Sequence, residues 1–269
     1  MKIHGSTILL TGACGGIGRA VARELARRGA YLVLAGRKSI VLDALAAELR
    51  AVGATQVFPL CIDLAAPGAA SDLARQAFAV AGRLDGMIHC AGIQSFSAFV
   101  SESEQAADAV FTLNTLVPMR LTRAVLPHLL HQRSGRIVLV GSIFGSIGFP
   151  FFVSYSASKF ALRGFAEALR RELAGTGVGI AYVAPRFTRT AFNRSAVVRM
   201  AEAMRMNQDE PEAVAARIIA AFEHGGGNQY LGWPEKLFVR INSLLPQLVD
   251  RPLMRQVDRM RPFAAERTR

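Results

Sequence analysis

Acidic residues are scarce in this chain, with 20 Asp and Glu against 32 Lys and Arg, a formal charge of +12. Such an excess admits an anionic ligand, an anionic membrane or a nucleic acid. The cations are dispersed, without a dense run or interleaved aromatics, which argues against specific nucleic-acid binding. Cysteine is also rare. Cys14, Cys61 and Cys90 stand singly, with no metal-ligand spacing and no even set for a disulfide framework, as suits a reducing compartment. They read as small apolar fillers near strand ends, and no metal site is expected. No apolar run reaches membrane-spanning length, and Met1-Lys2-Ile3-His4-Gly5 leads into the first strand pattern without a secretory leader. The expectation is a cytoplasmic protein, or at most one held at a membrane surface. Internal repeats and low-complexity linkers are missing too. The 269 residues, 51% hydrophobic, suit one α/β domain with a large core.

What is present begins with Ser6-Thr7-Ile8-Leu9-Leu10-Thr11, a short apolar run that reads as a buried strand. Gly12-Ala13-Cys14-Gly15-Gly16-Ile17-Gly18 follows, and then Arg19 to Arg28 has helical periodicity. Strand, glycine loop and helix form the context of a nucleotide site, in which the backbone approaches a pyrophosphate and the helix start holds the anion. Strands are expected near Thr7–Thr11, Tyr31–Ala35, Gln56–Cys61, Gly86–His89, Arg136–Gly141, Val178–Val183 and Gln229–Leu231. Helices are expected near Gly16–Arg28, Ile40–Val52, Ala69–Ala81, Ser103–Leu130, Tyr155–Ala174 and Pro211–Glu223. The alternation predicts one doubly wound parallel sheet with helices on both faces, a Rossmann fold, and ligands at the carboxyl ends of its strands.

Tyr155 and Lys159 lie four residues apart, on one face of a helix. A cation there can lower the phenol's pKa and make it an acid/base for an alcohol or carbonyl. Asn114 is a mediocre helix-interior residue, and Pro118, four residues later, cannot donate to its carbonyl. The long helix should kink there, leaving that carbonyl to a water that reaches Lys159.

Thr11-Gly12-x-x-x-Gly16-x-Gly18, together with Ser142, Tyr155 and Lys159, resembles the short-chain dehydrogenase/reductase family from about Ile3 to Asn193 and more loosely to Trp233. The resemblance implies Tyr155 as acid/base, Lys159 as its electrostatic partner and ribose ligand, Ser142 as the hydroxyl that orients the carbonyl, and Asn114 as a fourth member. It implies a nicotinamide cofactor held by Gly12, Cys14, Gly15, Gly16, Ile17 and Gly18. Asp63-Leu64 resembles the family's adenine-edge contact, although a turn Asp reads almost as well. Cys90-Ala91-Gly92 stands where the family has Asn-Ala-Gly, so an amide that braces the central strands is gone, while Ala91 and Gly92 still admit the ribose. After the sixth strand come Pro185, then Arg186 in place of the family's glycine, then Thr188 and Thr190, either of which can bond the carboxamide. Arg186 is expected to point outward.

The second strand ends in Gly36-Arg37-Lys38. The Asp or Glu that takes up ribose hydroxyls is missing, and two cations suit a 2′-phosphate, so NADP(H) is expected. The segment 191–208 reads equally as a flexible flap or as a surface helix with its apolar face on the core. Residues 1–232 are expected to form the dinucleotide-binding and catalytic domain. Residues 233–269 are an apolar and basic extension that covers the pocket or an oligomer interface, with a membrane surface as the alternative. The function implied is reduction of a ketone or oxidation of a secondary alcohol, hydrophobic or lipid-like, by a homodimer or homotetramer. The alternative is a dinucleotide-binding sensor or structural protein with little turnover.

Overall fold

The structure, a computed structural model, describes residues 1–265; the last residues of the predicted extension, 266–269, lie outside them. Seven strands form one parallel sheet: β1 (Thr7–Thr11), β2 (Tyr31–Gly36), β3 (Val57–Cys61), β4 (Gly86–His89), β5 (Gly135–Val140), β6 (Val178–Ala184) and β7 (Gly227–Tyr230), in the order β3-β2-β1-β4-β5-β6-β7. The two-residue period of a strand divides its side chains between two cores. Ile8 and Leu10 of β1, with Ala181 and Val183 of β6, join the core beneath α1 (Gly16–Arg27), α2 (Ser39–Ala51) and α8 (Pro211–His224). Leu9, Ile180, Tyr182 and Ala184 join the opposite core, beneath α3 (Ala69–Ala81), α5 (Val117–His131) and α6 (Val153–Glu172). The strand order reverses between β1 and β4, which opens a crevice at their carboxyl ends.

The long helix expected over Ser103–Leu130 is two helices. The first, α4, is Glu104–Phe111 with Ser103 capping its start, and a π-helical turn, Thr112–Leu116, joins it to α5. Pro118 supplies no N–H to the Asn114 carbonyl, so the ladder widens by a residue rather than only kinking. Asn114 sits within this turn, fully buried.

From residue 195 onward, three further helices build one end of the crevice: α7 (Ser195–Ala203), α9 (Glu235–Leu244) and α10 (Gln247–Ala264). Met260 of α10 joins Val197 and Met200 of α7, Phe152 and Tyr155 in one cluster. Val239 of α9 packs with Ile143 and Ile147. The extension is therefore continuous with the body at this end. Among the described residues, no helix is long and apolar enough to cross a membrane.

Candidate active site

A cleft of about 780 Å³ runs along the strand ends, from the glycine loop to α9 and α10. At one end, Gly12 has a φ of 67°, and a β-carbon there would sit 2.6 Å from the Ala91 nitrogen, so only glycine fits. A β-carbon on Gly18 would collide with the Gly12 carbonyl oxygen, and one on Gly16 with Thr190. On Gly15 it would touch only the Gly12 oxygen, at 3.3 Å, which leaves the rim of the cradle open. The first bond of α1 runs from the Arg19 N–H to the Gly15 carbonyl, 2.8 Å. The N–H groups of Gly16, Ile17 and Gly18 therefore precede the helical ladder, and the first turn carries no acidic residue. This cradle fits a pyrophosphate at the positive end of a helix. Cys14 lines it, its thiol pushed up by burial against the opposing charge of Arg19.

Arg37 and Lys38 line the cleft, exposed, at the end of β2; Asp43 is exposed on α2. Asp63 and buried Leu64 line the adjoining wall. The Asp63 carboxylate also accepts from the Ala65 N–H, 3.1 Å, so it shapes a turn while facing the cleft. Cys61 is not an apolar filler. It is exposed, and its thiol donates to the Arg37 carbonyl at 3.6 Å.

Cys90, Ala91 and Gly92 leave β4 along the floor of the cleft. The amide that Cys90 lacks has a substitute in two residues that sequence reading missed as a pair. The Thr11 hydroxyl meets His89 Nδ1 at 2.9 Å and accepts from the Ala91 N–H at 3.3 Å, which joins β1 to β4. His89 is buried. Burial, then the Lys159 charge, push it down to about 3, opposed by the Leu113 carbonyl. Asn114 grips the next residue. Its Oδ1 accepts from the Ile93 N–H at 2.9 Å, and its Nδ2 donates to the Ile93 carbonyl at 2.9 Å and the Ser158 hydroxyl at 3.0 Å. A β-carbon on Gly92 would lie 3.0 Å from Asn114 Oδ1 and 3.7 Å from Lys159 Nζ, so the cleft floor here faces both side chains and has little room for more than glycine.

Ser142 lies two residues past β5 and caps a short 3₁₀ turn, Ile143–Gly145. Its loop is seated on Tyr182, whose hydroxyl lies 3.3 Å from both the Ser142 N–H and the Ser142 carbonyl. Gly141 and Gly145 make room for the Tyr182 ring, which a β-carbon at either would strike. Tyr155 and Lys159 rise from the first turns of α6, both nearly buried. Lys159 Nζ lies 5.7 Å from the Tyr155 ring centroid and donates to the Val140 carbonyl at 3.1 Å. The phenol is shifted up rather than down, against the expected lowering. Burial pushes Tyr155 up to about 12, and the Ser142 hydroxyl pulls the other way. Burial also brings Lys159 down to about 8, opposed by Cys90. Desolvation outweighs attraction for both groups.

Arg186 does not point outward. Its guanidinium donates to Asp209 Oδ1 through Nε and Nη2, at 3.0 and 2.8 Å, and to Glu235 Oε2 through Nη1 at 3.1 Å. Pro185 accepts from the Ile143 N–H at 3.0 Å. Thr188 is buried and pairs with Asp209 in an isolated bridge, while Thr190 packs on Gly16. Both threonines line the cleft. Within 191–208, α7 turns Val197 and Met200 toward Tyr155, which is the surface helix with its apolar face on the core. Phe144 stacks on Phe149 with centroids 4.4 Å apart, and Phe192 lies 6.4 Å from the Tyr155 ring. Phe238, Ile241, Leu248 and Leu253 close this apolar end from α9 and α10. Among the described residues, no group of three or more His, Cys, Asp or Glu is placed to hold a metal ion.

Residues 6–200 match the family model described as short chain dehydrogenase. The chain is 32% identical over 259 residues to "Dehydrogenase/reductase SDR family member 7B" of Bos taurus, covering 91% of this chain and 79% of that protein. It is 31% identical over 255 residues to "Ketoacyl reductase HetN" of a Nostoc species, covering 93% and 88%. Among solved structures, a short chain dehydrogenase/reductase from Burkholderia phymatum in complex with NAD superposes with a TM-score of 0.83 at 25% identity, over 93% of this chain and 96% of that one. With its sheet order, its glycine cradle and a family match that spans most of its length, this chain belongs to the short chain dehydrogenases, oxidoreductases that bind a nicotinamide dinucleotide.

Proposed function

We propose that this protein is an NADP(H)-dependent oxidoreductase that interconverts a hydrophobic ketone and its secondary alcohol. The observation that carries the reading is the position of Ser142, Tyr155 and Lys159 on the wall of one cleft, between a phosphate cradle and an apolar end. The residues present fit the dinucleotide. The α1 N-terminus suits the pyrophosphate, Asp63 and Leu64 the adenine, Ala91, Gly92, Tyr155 and Lys159 the ribose, and Pro185, Thr188 and Thr190 the nicotinamide side. Arg37 and Lys38, with no carboxylate at the end of β2, suit a 2′-phosphate.

With the dinucleotide bound there, the hydride would come from its nicotinamide. Tyr155 stays protonated at neutral pH, as its upward shift requires, and donates its proton to the substrate oxygen as negative charge develops there. Ser142 donates a second hydrogen bond to that oxygen, held in place by its seat on Tyr182. Lys159 is mostly protonated at neutral pH and favours the phenolate that remains. Asn114 fixes the Ile93 backbone and Ser158, and so holds the cleft floor against α6. Apolar walls from Phe144, Phe149, Phe192 and Leu248 favour a greasy substrate and exclude water. The relative named a ketoacyl reductase is consistent with such a substrate.

Exposed Phe111, Leu116 and Met119 near α4–α5, with Val153 and Phe160 on α6, favour a homodimer or homotetramer. NADPH oxidation measured against a panel of apolar ketones tests the reading. Cofactor binding without turnover on any of them replaces it with a sensor or structural role.

A further inference from the structure

We propose that α9 and α10 form a docking surface for an anionic lipid bilayer, placed at the mouth of the apolar cleft. Exposed apolar side chains run the length of α9. Trp233 before it is 68% exposed, Leu244 at its end 80%, and Leu245 and Leu248 just beyond it 56% and 58%. A soluble surface tolerates such residues singly but seldom as a continuous patch. The patch is held rigidly from behind, by Val239 in the core and by the Asn242 amide, which donates to the Ser146 carbonyl at 2.9 Å.

Cations surround it. Lys236, Arg240, Arg251 and Arg255 are exposed, and no carboxylate pairs with them among the described residues. Of the acidic residues on α10, Asp250 is exposed and Asp258 is paired with Arg261 at 3.4 Å. An apolar strip edged by cations is the pattern of a helix that lies in a headgroup layer. A second copy of the chain is the other natural occupant. A two-fold contact would set this cationic rim against itself, on a molecule already carrying a charge of +12. Anionic lipid removes that repulsion.

The patch is also continuous with the cleft. Leu248 and Phe238 are exposed on the outside and line the cleft on the inside. A molecule dissolved in the bilayer would thus meet apolar surface from lipid to active site. The docking itself stands whether or not the proposed substrate class is right.

Trp233 is the only tryptophan in the chain, so its fluorescence reports on this surface alone. The test mixes the full-length protein with vesicles of phosphatidylcholine alone or with phosphatidylglycerol. Emission should move to shorter wavelength, and protein should float with the lipid, only when phosphatidylglycerol is present, and added salt should weaken both. The double variant Leu244→Asp, Leu245→Asp alters neither the cleft nor the cofactor cradle. It should retain the wild-type thermal transition and lose about tenfold or more in vesicle partitioning. No spectral shift and no flotation of the wild type would overturn the proposal, even if the variant fails to fold. Equal binding to both vesicles would remove its electrostatic half. A dimer in light scattering that the double variant dissolves, without flotation of the wild type, would assign the patch to a second copy.

Discussion

Arg186 and Glu235, joined at 3.1 Å, tie the loop after the sixth strand to the start of α9. Asp209 takes the other edge of the same guanidinium, and the Trp233 carbonyl accepts from it at 3.3 Å. The Asn207 amide donates to Glu235 at 3.0 Å. The side chains of Arg186, Asp209 and Glu235 are only 17–21% exposed, so the cation neutralises two carboxylates in a poorly solvated place. Replacing Arg186 by the family's glycine leaves both without a counter-charge. Arg186→Gly should cost about 2–4 kcal/mol of stability, read as a lower thermal midpoint. It should raise KM for a bulky apolar ketone severalfold, with kcat for a small ketone little changed, because α9 walls only the far end of the cleft. Arg186→Lys should fall between, since a point charge cannot hold both carboxylates in the same planar fork.

Tyr155→Phe removes the proton donor and leaves the ring packed among Phe144, Phe152 and Phe192. Turnover should fall by about 10²–10⁴, while the dissociation constant for NADPH changes less than about threefold, the loss of one hydroxyl contact. Steady-state kinetics with a fluorescence titration of NADPH checks both. A mutant that keeps the wild-type rate removes the phenol from the chemistry.

Arg37→Asp tests the phosphate preference. A carboxylate at the end of the second strand accepts from ribose hydroxyls and repels a 2′-phosphate. NADPH should bind at least about tenfold more weakly, the worth of a charge-assisted hydrogen bond, and NADH should bind no worse than before. Parallel titrations with the two cofactors decide it, and equal losses would show that Arg37 does not read the phosphate.

The strands and most helices were legible in the sequence because each is specified by its own pattern. The run Thr7–Thr11 and the helix Ala69–Ala81 end where local periodicity ends. The glycine loop was legible for the same reason, since its steric demand is local. Arg186 was not, because its partners lie 23 and 49 residues away and nothing near it in the chain announces them. Tyr182 is written as an ordinary strand residue, and only the fold shows that Gly141 and Gly145 are small to accommodate it. The direction of the Tyr155 shift is not legible, because spacing reveals the cation four residues away but not the loss of solvent around both groups. His89 gave a faint signal, a histidine ending an otherwise apolar strand.

Lys159 should trade stability for activity. Its ammonium falls from 10.5 to about 8 on burial, so below pH 8 the folded, cofactor-free protein carries the whole cost of a desolvated charge. That cost shrinks as pH rises from 8 to 10.5, where the unfolded chain also deprotonates. Lys159→Met should abolish turnover and yet stabilise the cofactor-free protein at pH 7 by about 1–3 kcal/mol, less the lost bond to Val140. Chemical denaturation of both proteins at pH 7 measures the difference. A destabilised Lys159→Met would mean that the bond to Val140 outweighs the desolvation.

His89 makes the junction of β1 and β4 sensitive to acid. Folded, it remains neutral down to about 3, whereas in the unfolded chain it takes up a proton near 6.5. The neutral ring's contribution is therefore complete above 6.5 and is lost progressively as pH falls from 6.5 toward 3. The loss should approach about 1.4 kcal/mol per pH unit within that window. A variant that lacks only this ring isolates its contribution over the interval from 6.5 to 5. His89→Gln retains an amide within reach of Thr11 and cannot charge. It should be less stable than the wild type at pH 7, with a denaturation midpoint nearly flat from pH 6.5 to 5, while the wild-type midpoint falls. Parallel slopes for the two proteins would move the acid sensitivity away from this buried ring.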